Sequence, residues 1–407
     1  MITVPVPAQH EADRFPPHGW VWDFLQPQPP DPLLALIGMF AADGRPDKID
    51  LGVGVYKDSE GRTPVFVAIK AAEQLLLDKQ QTKSYVGPEG DVGYFRRLTP
   101  LIFGDLDIKA RLSGLQTTGG TGALRLGAEL IARAQPDARI HVGTPTWANH
   151  PPIFDAARLQ LATHRHVDVA TQRLCFDEII DALSNAERRD TVLLHGCCHN
   201  PTGADFDVTQ WQALAEIMAE RGLLPFIDLA YQGLGDGLAE DAAGVRIVAA
   251  HCPELLVAYS CDKNFGLYRE RVGALFALSA TPEAAATVQS NLLSLARANW
   301  SMPPDHGAAL VRIVLESDEL AASWRAELEE MRQRIVAMRE GLATIDPTLT
   351  PLAGQKGMFS TLPLSPDQIR ALREDHGVYM AGSGRINIAG FIPANLNSFV
   401  TALAAVR

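Results

Sequence analysis

The chain has 407 residues, 47% of them hydrophobic and 21% charged, which excludes a disordered or fibrous protein; at about 150 residues per domain this length predicts two to three units. Its 48 acidic residues outnumber 36 basic ones, for a formal charge of −12, which argues against a nucleic-acid phosphate backbone as a partner. No apolar stretch approaches the roughly 18 uncharged residues of a membrane-spanning helix, and MITVPVPAQHEADRF lacks the basic start and apolar block of a signal peptide. Five cysteines without CxxC spacing, two of them adjacent at Cys197 and Cys198, predict reduced, partly buried thiols, with no disulfide framework and no zinc site; the adjacent pair is expected in the core. A soluble, cytoplasmic, multi-domain protein is expected.

In chain order, the first thirty residues carry Pro5, Pro7, Pro16, Pro17, Pro27, Pro29 and Pro30. Proline at that density opposes helix and central strand, so residues 1–30 read as an arm that packs on something else. From Asp31 onward, short apolar runs alternate with amphipathic stretches. Residues 138–142 (ARIHV), 191–195 (TVLLH), 223–227 (LLPFI) and 254–259 (ELLVAY) predict strands. Residues 122–134 and 209–221 predict helices, the second from the spacing of Trp211, Leu214, Ala215 and Met218. Such alternation predicts a parallel sheet covered on both faces. Residues 305–340 read as nearly continuous helix leading into a second, α+β unit.

In an open parallel sheet, ligands bind beyond the carboxyl ends of the strands. The residues that follow the four runs are GTPTWANH with Trp147 and His150, GCCHNPTG with Asn200, DLAYQG with Asp228 and Tyr231, and SCDKNFGLYRER with Ser260, Lys263 and Arg271. Four successive strand ends thus supply an aromatic, an amide, a carboxylate and a lysine. Lys263 is either a solvated surface lysine or, in a desolvated pocket, a Schiff-base amine. Asp228 ends a buried strand, where it caps a helix or holds a pyridine nitrogen protonated. The segment TTGGTGALR (117–125) lacks the lysine of a P-loop and the third glycine of a dinucleotide fingerprint; it reads as a tight turn before a helix, with a non-nucleotide phosphate as the alternative. Ser260 and Lys263 match S-x-x-K, but the companion S-D-N and K-T-G elements are missing. His164 and His166, with no third ligand nearby, are expected to be solvated surface histidines.

These segments, with LGVGVYKD (51–58), KSYVGPEG (83–90), RANWSMPPDHGA (297–308) and GRINIAG (384–390), resemble the class I pyridoxal-phosphate-dependent aminotransferases, in the aspartate/aromatic amino-acid branch. The resemblance runs from about Asp31 to the C-terminus. It implies a fold-type I architecture: a three-layer α/β large domain with a mostly parallel sheet (63–322) and a smaller α+β domain (31–62 with 323–407). It also implies pyridoxal 5′-phosphate as cofactor, with Lys263, Asp228 and Tyr231 catalytic and the phosphate held by Gly120, Thr121, Ser260, Arg271 and a second subunit's Tyr85. Trp147 and Asn200 would contact both cofactor and substrate. Gly54 and Arg385 would take the substrate α-carboxylate, and Arg297, reaching across a homodimer, the distal carboxylate of aspartate, glutamate or 2-oxoglutarate. His150 would support Asp228. Asp262 stands where the family usually has a small hydroxyl residue, and Trp300 and Met302 where tyrosine and asparagine are common. The implied activity is ping-pong amino transfer between an aspartate or aromatic L-amino acid and a 2-oxo acid. A β-decarboxylase or lyase on an acidic amino acid, and a non-catalytic cofactor-binding regulatory module, are the alternatives; no basic helix-turn-helix segment precedes Asp31.

Overall fold

The structure, a computed structural model, describes residues 20–407. Most of the expected arm, residues 1–19, lies outside them. Residues 20–30 are exposed, and Val21–Phe24 form one 3-10 turn, a short local helix in a segment expected to have none.

Seven strands form the main sheet: β1 (Leu112–Thr118), β2 (Arg139–Thr144), β3 (Gln160–Arg165), β4 (Thr191–His195), β5 (Leu224–Leu229), β6 (Leu255–Ser260) and β7 (Val272–Leu278). They lie in the order β1-β7-β6-β5-β4-β2-β3. Pairing is parallel from β6 through β5, β4 and β2 to β3, and antiparallel where β7 sits between β6 and β1. Every residue of β6 and β7 is buried, because apolar residues of both parities meet a covered face. Ile227, Leu229, Leu255, Val257 and Tyr259 enter one core, while Phe226, Leu256, Ala258, Leu193 and Leu275 enter the other. The second core is closed by α1 (Gly119–Ala134) and α3 (Pro282–Asn299), the first by helices including α2 (Val208–Arg221) and α4 (Asp305–Glu316). Cys197 and Cys198 belong to the first core, and burial pushes the Cys198 thiol up to about 12, as suits a core residue.

Local signals set the helix ends. The Asp207 side chain accepts from the Gln210 amide in a capping box, and Gly222 closes α2 with φ 64°. The helix expected over 305–340 is broken at Ser317, whose hydroxyl caps a new helix, α5 (Asp318–Ile345), by accepting from Leu320 N at 3.3 Å. Periodicity runs through Ser317 without interruption, so only the cap reveals the break. Among the described residues no helix is long and apolar enough to cross a membrane.

Residues near position 50 are stitched to the C-terminal portion. Ile49–Asp50 pairs in parallel with Val378–Tyr379, and Asn387 Nδ2 donates to the carbonyls of Val53 and Val55, each at 2.7 Å. Phe359–Thr361 pairs antiparallel with Arg385–Asn387. Helix α5 holds this region through Arg339, which is 1% exposed and donates to the carbonyls of Leu352, Lys356, Gly357 and Phe359 and to the Ser360 hydroxyl. Burial lowers its pKa to about 10, which leaves it charged at neutral pH. Arg339→Met is expected to destabilise the fold by at least about 3 kcal/mol, since each buried carbonyl stripped of its donor costs about 1–3 kcal/mol. A urea midpoint shift equivalent to less than about 1 kcal/mol would contradict the structural role given to this guanidinium.

Candidate active site

The sheet topology decides which chain segments meet. β1, β2, β4, β5 and β6 run in one direction, so their carboxyl ends share an edge, and antiparallel β7 begins at that same edge. Ser260 ends β6 opposite Gly273, which places Arg271, just before β7, beside it. Along this edge lies a cavity of about 180 Å³. Gly54, Gly120, Thr121, Trp147, Asn200, Asp228, Tyr231, Ser260, Lys263, Arg271 and Arg385 all line it. Eleven of the thirteen expected site residues are thus brought together from segments spread over 330 residues.

Lys263 is mostly buried, its side chain 19% exposed, with Nζ 4.0 Å from Asp262 Oδ2 and 5.2 Å from the centre of the Tyr231 ring. Burial holds its pKa below that of a free lysine, against the opposing pull of Asp262 and Asp228. Its loop is anchored from behind, because Trp324 of α5 donates to the Asn264 carbonyl at 2.6 Å and stacks on Phe265 with ring centres 4.4 Å apart. Asp228 Oδ2 lies 3.0 Å from His150 Nε2, His150 Nδ1 lies 2.7 Å from Thr146 Oγ1, and that oxygen lies 3.0 Å from His195 Nε2. With neutral imidazoles, the chain is satisfied when His150 Nε2 donates to the Asp228 carboxylate, the Thr146 hydroxyl donates to His150 Nδ1, and His195 Nε2 donates to Thr146. Burial pushes the His195 pKa well down, in keeping with a neutral imidazole there.

Asn200 Nδ2 donates to the Tyr231 hydroxyl at 3.3 Å, and burial raises the phenol pKa well above its usual value. At the opposite end, a Cβ on Gly120 would come within 3.1 Å of Ser260 Cβ, and one on Gly119 within 2.7 Å of Arg271 Nη2. Glycine there leaves the start of α1 bare, with its amides next to a hydroxyl and a guanidinium, an anion cradle. Arg385 is 8% exposed, donates to the Gly52 carbonyl at 2.8 Å and lies over the Phe359 ring, 4.5 Å from its centre. Desolvation lowers its pKa.

A family model described as aminotransferase class I and II matches residues 46–403. The chain belongs to the class I and II aminotransferases. It is therefore an enzyme that transfers an amino group between an amino acid and a 2-oxo acid, with pyridoxal 5′-phosphate as cofactor. This aminotransferase is 53% identical over 374 residues to a tyrosine aminotransferase of Rhizobium meliloti (strain 1021), covering 91% of this chain and 96% of that protein. It is 44% identical over 389 residues to an aspartate aminotransferase of Escherichia coli (strain K12), covering 93% and 98%. Among solved structures, an aromatic-amino-acid aminotransferase from Burkholderia pseudomallei, covalently bound to pyridoxal phosphate, aligns with TM-score 0.92 at 39% identity, covering 95% of this chain and all of that one.

The cavity of the aminotransferase fits that cofactor. It offers an amine, an anion cradle and a buried carboxylate, and three of its residues hold buried polar atoms without a partner among the described residues: Asn200 Oδ1, Asp262 Oδ1 and Arg385 Nε. Tyr85 and Arg297 stand apart from it. Tyr85 is 92% exposed, and Arg297 is exposed and hydrogen-bonded to Ser301. Phe359, the platform under Arg385, carries no sequence signal, since an apolar residue in a short strand has many uses. His195 ends the TVLLH run as a polar residue closing a buried strand, a signal that could have marked it. The expectation of solvated histidines at 164 and 166 is overturned. His166 is 5% exposed and stacks on His199 with ring centres 3.9 Å apart, and burial lowers the pKa of both His164 and His166 to about 4. Ile179 and Phe206 pack over this end of the sheet, which strand periodicity at residues 164–166 does not reveal.

Proposed function

We propose that this aminotransferase exchanges amino groups between aspartate or aromatic L-amino acids and a 2-oxo acid such as 2-oxoglutarate, in a ping-pong cycle carried out by a cytoplasmic homodimer with shared sites. The observation that carries the reading is Lys263, desolvated in the wall of the cavity that Asp228 also lines, with Nζ 4.0 Å from Asp262 Oδ2. Pyridoxal phosphate, when bound, supplies an aldehyde that condenses with amines and a ring that accepts electron density from the substrate α-carbon. Lys263 provides the amine for that aldehyde and the base that takes and returns the α-proton, a role favoured by its lowered pKa. Asp228, oriented by His150, would pair with the ring nitrogen and hold its proton. Asn200 and Tyr231 would offer an amide and a phenol to the ring oxygen, and Trp147 would wall the ring. Gly120, Thr121, Ser260 and Arg271 would hold the phosphate. Arg385 and Gly54 receive the substrate α-carboxylate, where a guanidinium fork matches a carboxylate in two bonds.

Tyr85 and Arg297 act in the site of a second copy, a role supported by their exposure and their distance from their own cavity. The division into an arm (1–30), a small domain (31–62 and 323–407) and a large domain (63–322) is supported by the bonds joining residues 49–55 to residues 378–387. Five free cysteines suit a reducing cytoplasm. Arg297→Ala is expected to lower kcat/KM for aspartate and 2-oxoglutarate by about 10–100-fold, the worth of a charge-assisted hydrogen bond, while leaving phenylalanine and tyrosine little changed. Mixing Arg297→Ala subunits with inactive Lys263→Ala subunits should restore activity on aspartate, because one site of each hybrid has both groups. Equal losses on all substrates, or no restoration, would refute the shared site.

A further inference from the structure

The anion cradle contains an anion of its own. Asp262, 6% exposed, lines the cavity and accepts from Arg271 Nη1 at 2.6 Å, while the same Nη1 donates to the Tyr268 carbonyl at 3.0 Å. Its amide is tied to Ser260 Oγ at 3.2 Å, so the carboxylate is fixed among the groups that face the start of α1. Its second oxygen, Oδ1, is buried without a partner. An arginine in a phosphate site contributes most when its whole fork meets the phosphate and its charge is not already balanced. Here part of the fork is occupied, and a phosphate bearing nearly two negative charges would sit beside a carboxylate in a partly desolvated cleft, where like charges repel strongly.

We propose that Asp262 is a built-in competitor for the cofactor's phosphate, holding the grip of Arg271 below its full strength so that the phosphorylated cofactor is bound reversibly. This rests on the assignment of the phosphate to Gly120, Thr121, Ser260 and Arg271. Asp262 also faces Lys263 Nζ at 4.0 Å, an influence that ligands with and without phosphate share, so its action on the phosphate is the part of any change that pyridoxal does not show. The full chain, stripped of cofactor, is titrated with pyridoxal 5′-phosphate and separately with pyridoxal, and each dissociation constant is read by equilibrium dialysis. Asp262→Asn, which keeps the shape and removes the charge, is expected to bind pyridoxal 5′-phosphate more tightly, with a gain at least about tenfold larger than any change for pyridoxal. Asp262→Ser, which removes the carboxylate altogether, is expected to shift in the same direction. Unchanged or weaker affinity in both variants, or an equal gain for pyridoxal, would overturn the proposal, the last by placing the effect on Lys263. Ser260→Ala separates the two layers of the argument. Weaker phosphate-dependent binding in Ser260→Ala without a gain in Asp262→Asn defeats the competitor alone. No loss in Ser260→Ala defeats the phosphate assignment beneath it.

Discussion

Amino transfer is expected to fall by at least about 10⁴-fold in Lys263→Ala, the upper range for removing a positioned proton-transfer group. Lys263 Nζ makes only a long ion contact, 4.0 Å to Asp262 Oδ2, so the amine is not a structural keystone and the urea midpoint should stay near wild type. The cradle is untouched by this change, so the variant should still bind pyridoxal phosphate, and borohydride should fix the cofactor onto the wild-type chain at Lys263 but not onto the variant. Lys263→Arg should be almost as inactive, because a guanidinium with pKa above 12 cannot serve as a base at neutral pH. Retention of more than about 1% of activity in Lys263→Ala, against the 10²–10⁴-fold typical of such groups, would sink the assignment.

Asp228→Asn is expected to lower kcat by about 10²–10³-fold, the effect of removing one preorganised electrostatic group, with little change in KM. The amide keeps the size of the side chain but cannot be an anion, so the ring nitrogen loses the partner that keeps it protonated. His150, 0% exposed, stays in place through Thr146, which confines the change to charge. The measurement is steady-state kcat and KM on one donor, together with the half-reaction followed by cofactor absorbance. A loss smaller than tenfold, or one carried mainly by KM, would show that Asp228 positions substrate without polarising the ring.

These two residues were legible in the sequence because one ends an apolar run and the other follows one closely. A parallel strand covered on both faces must be apolar throughout, so TVLLH, LLPFI and ELLVAY stand out, and the first polar residues beyond them mark the edge where ligands bind. Asn200, Asp228, Tyr231 and Lys263 follow from that rule. Arg385, Gly54, Tyr85 and Arg297 do not, and came into view only through the resemblance of whole motifs.

Sequence by itself determined the strand–helix alternation, the strand-end residues and the family, because each is written in contiguous segments of the chain. Tertiary structure alone decided that Phe359 underlies Arg385, that Thr146 and His195 continue the chain behind Asp228, that His166 is buried against His199, and that Asp262 takes part of Arg271. The first three join residues far apart in sequence, and Asp262 and Arg271 meet only because β6 and β7 turn back on each other. Such pairings depend on which segments the sheet order brings side by side, and local periodicity carries no record of that order.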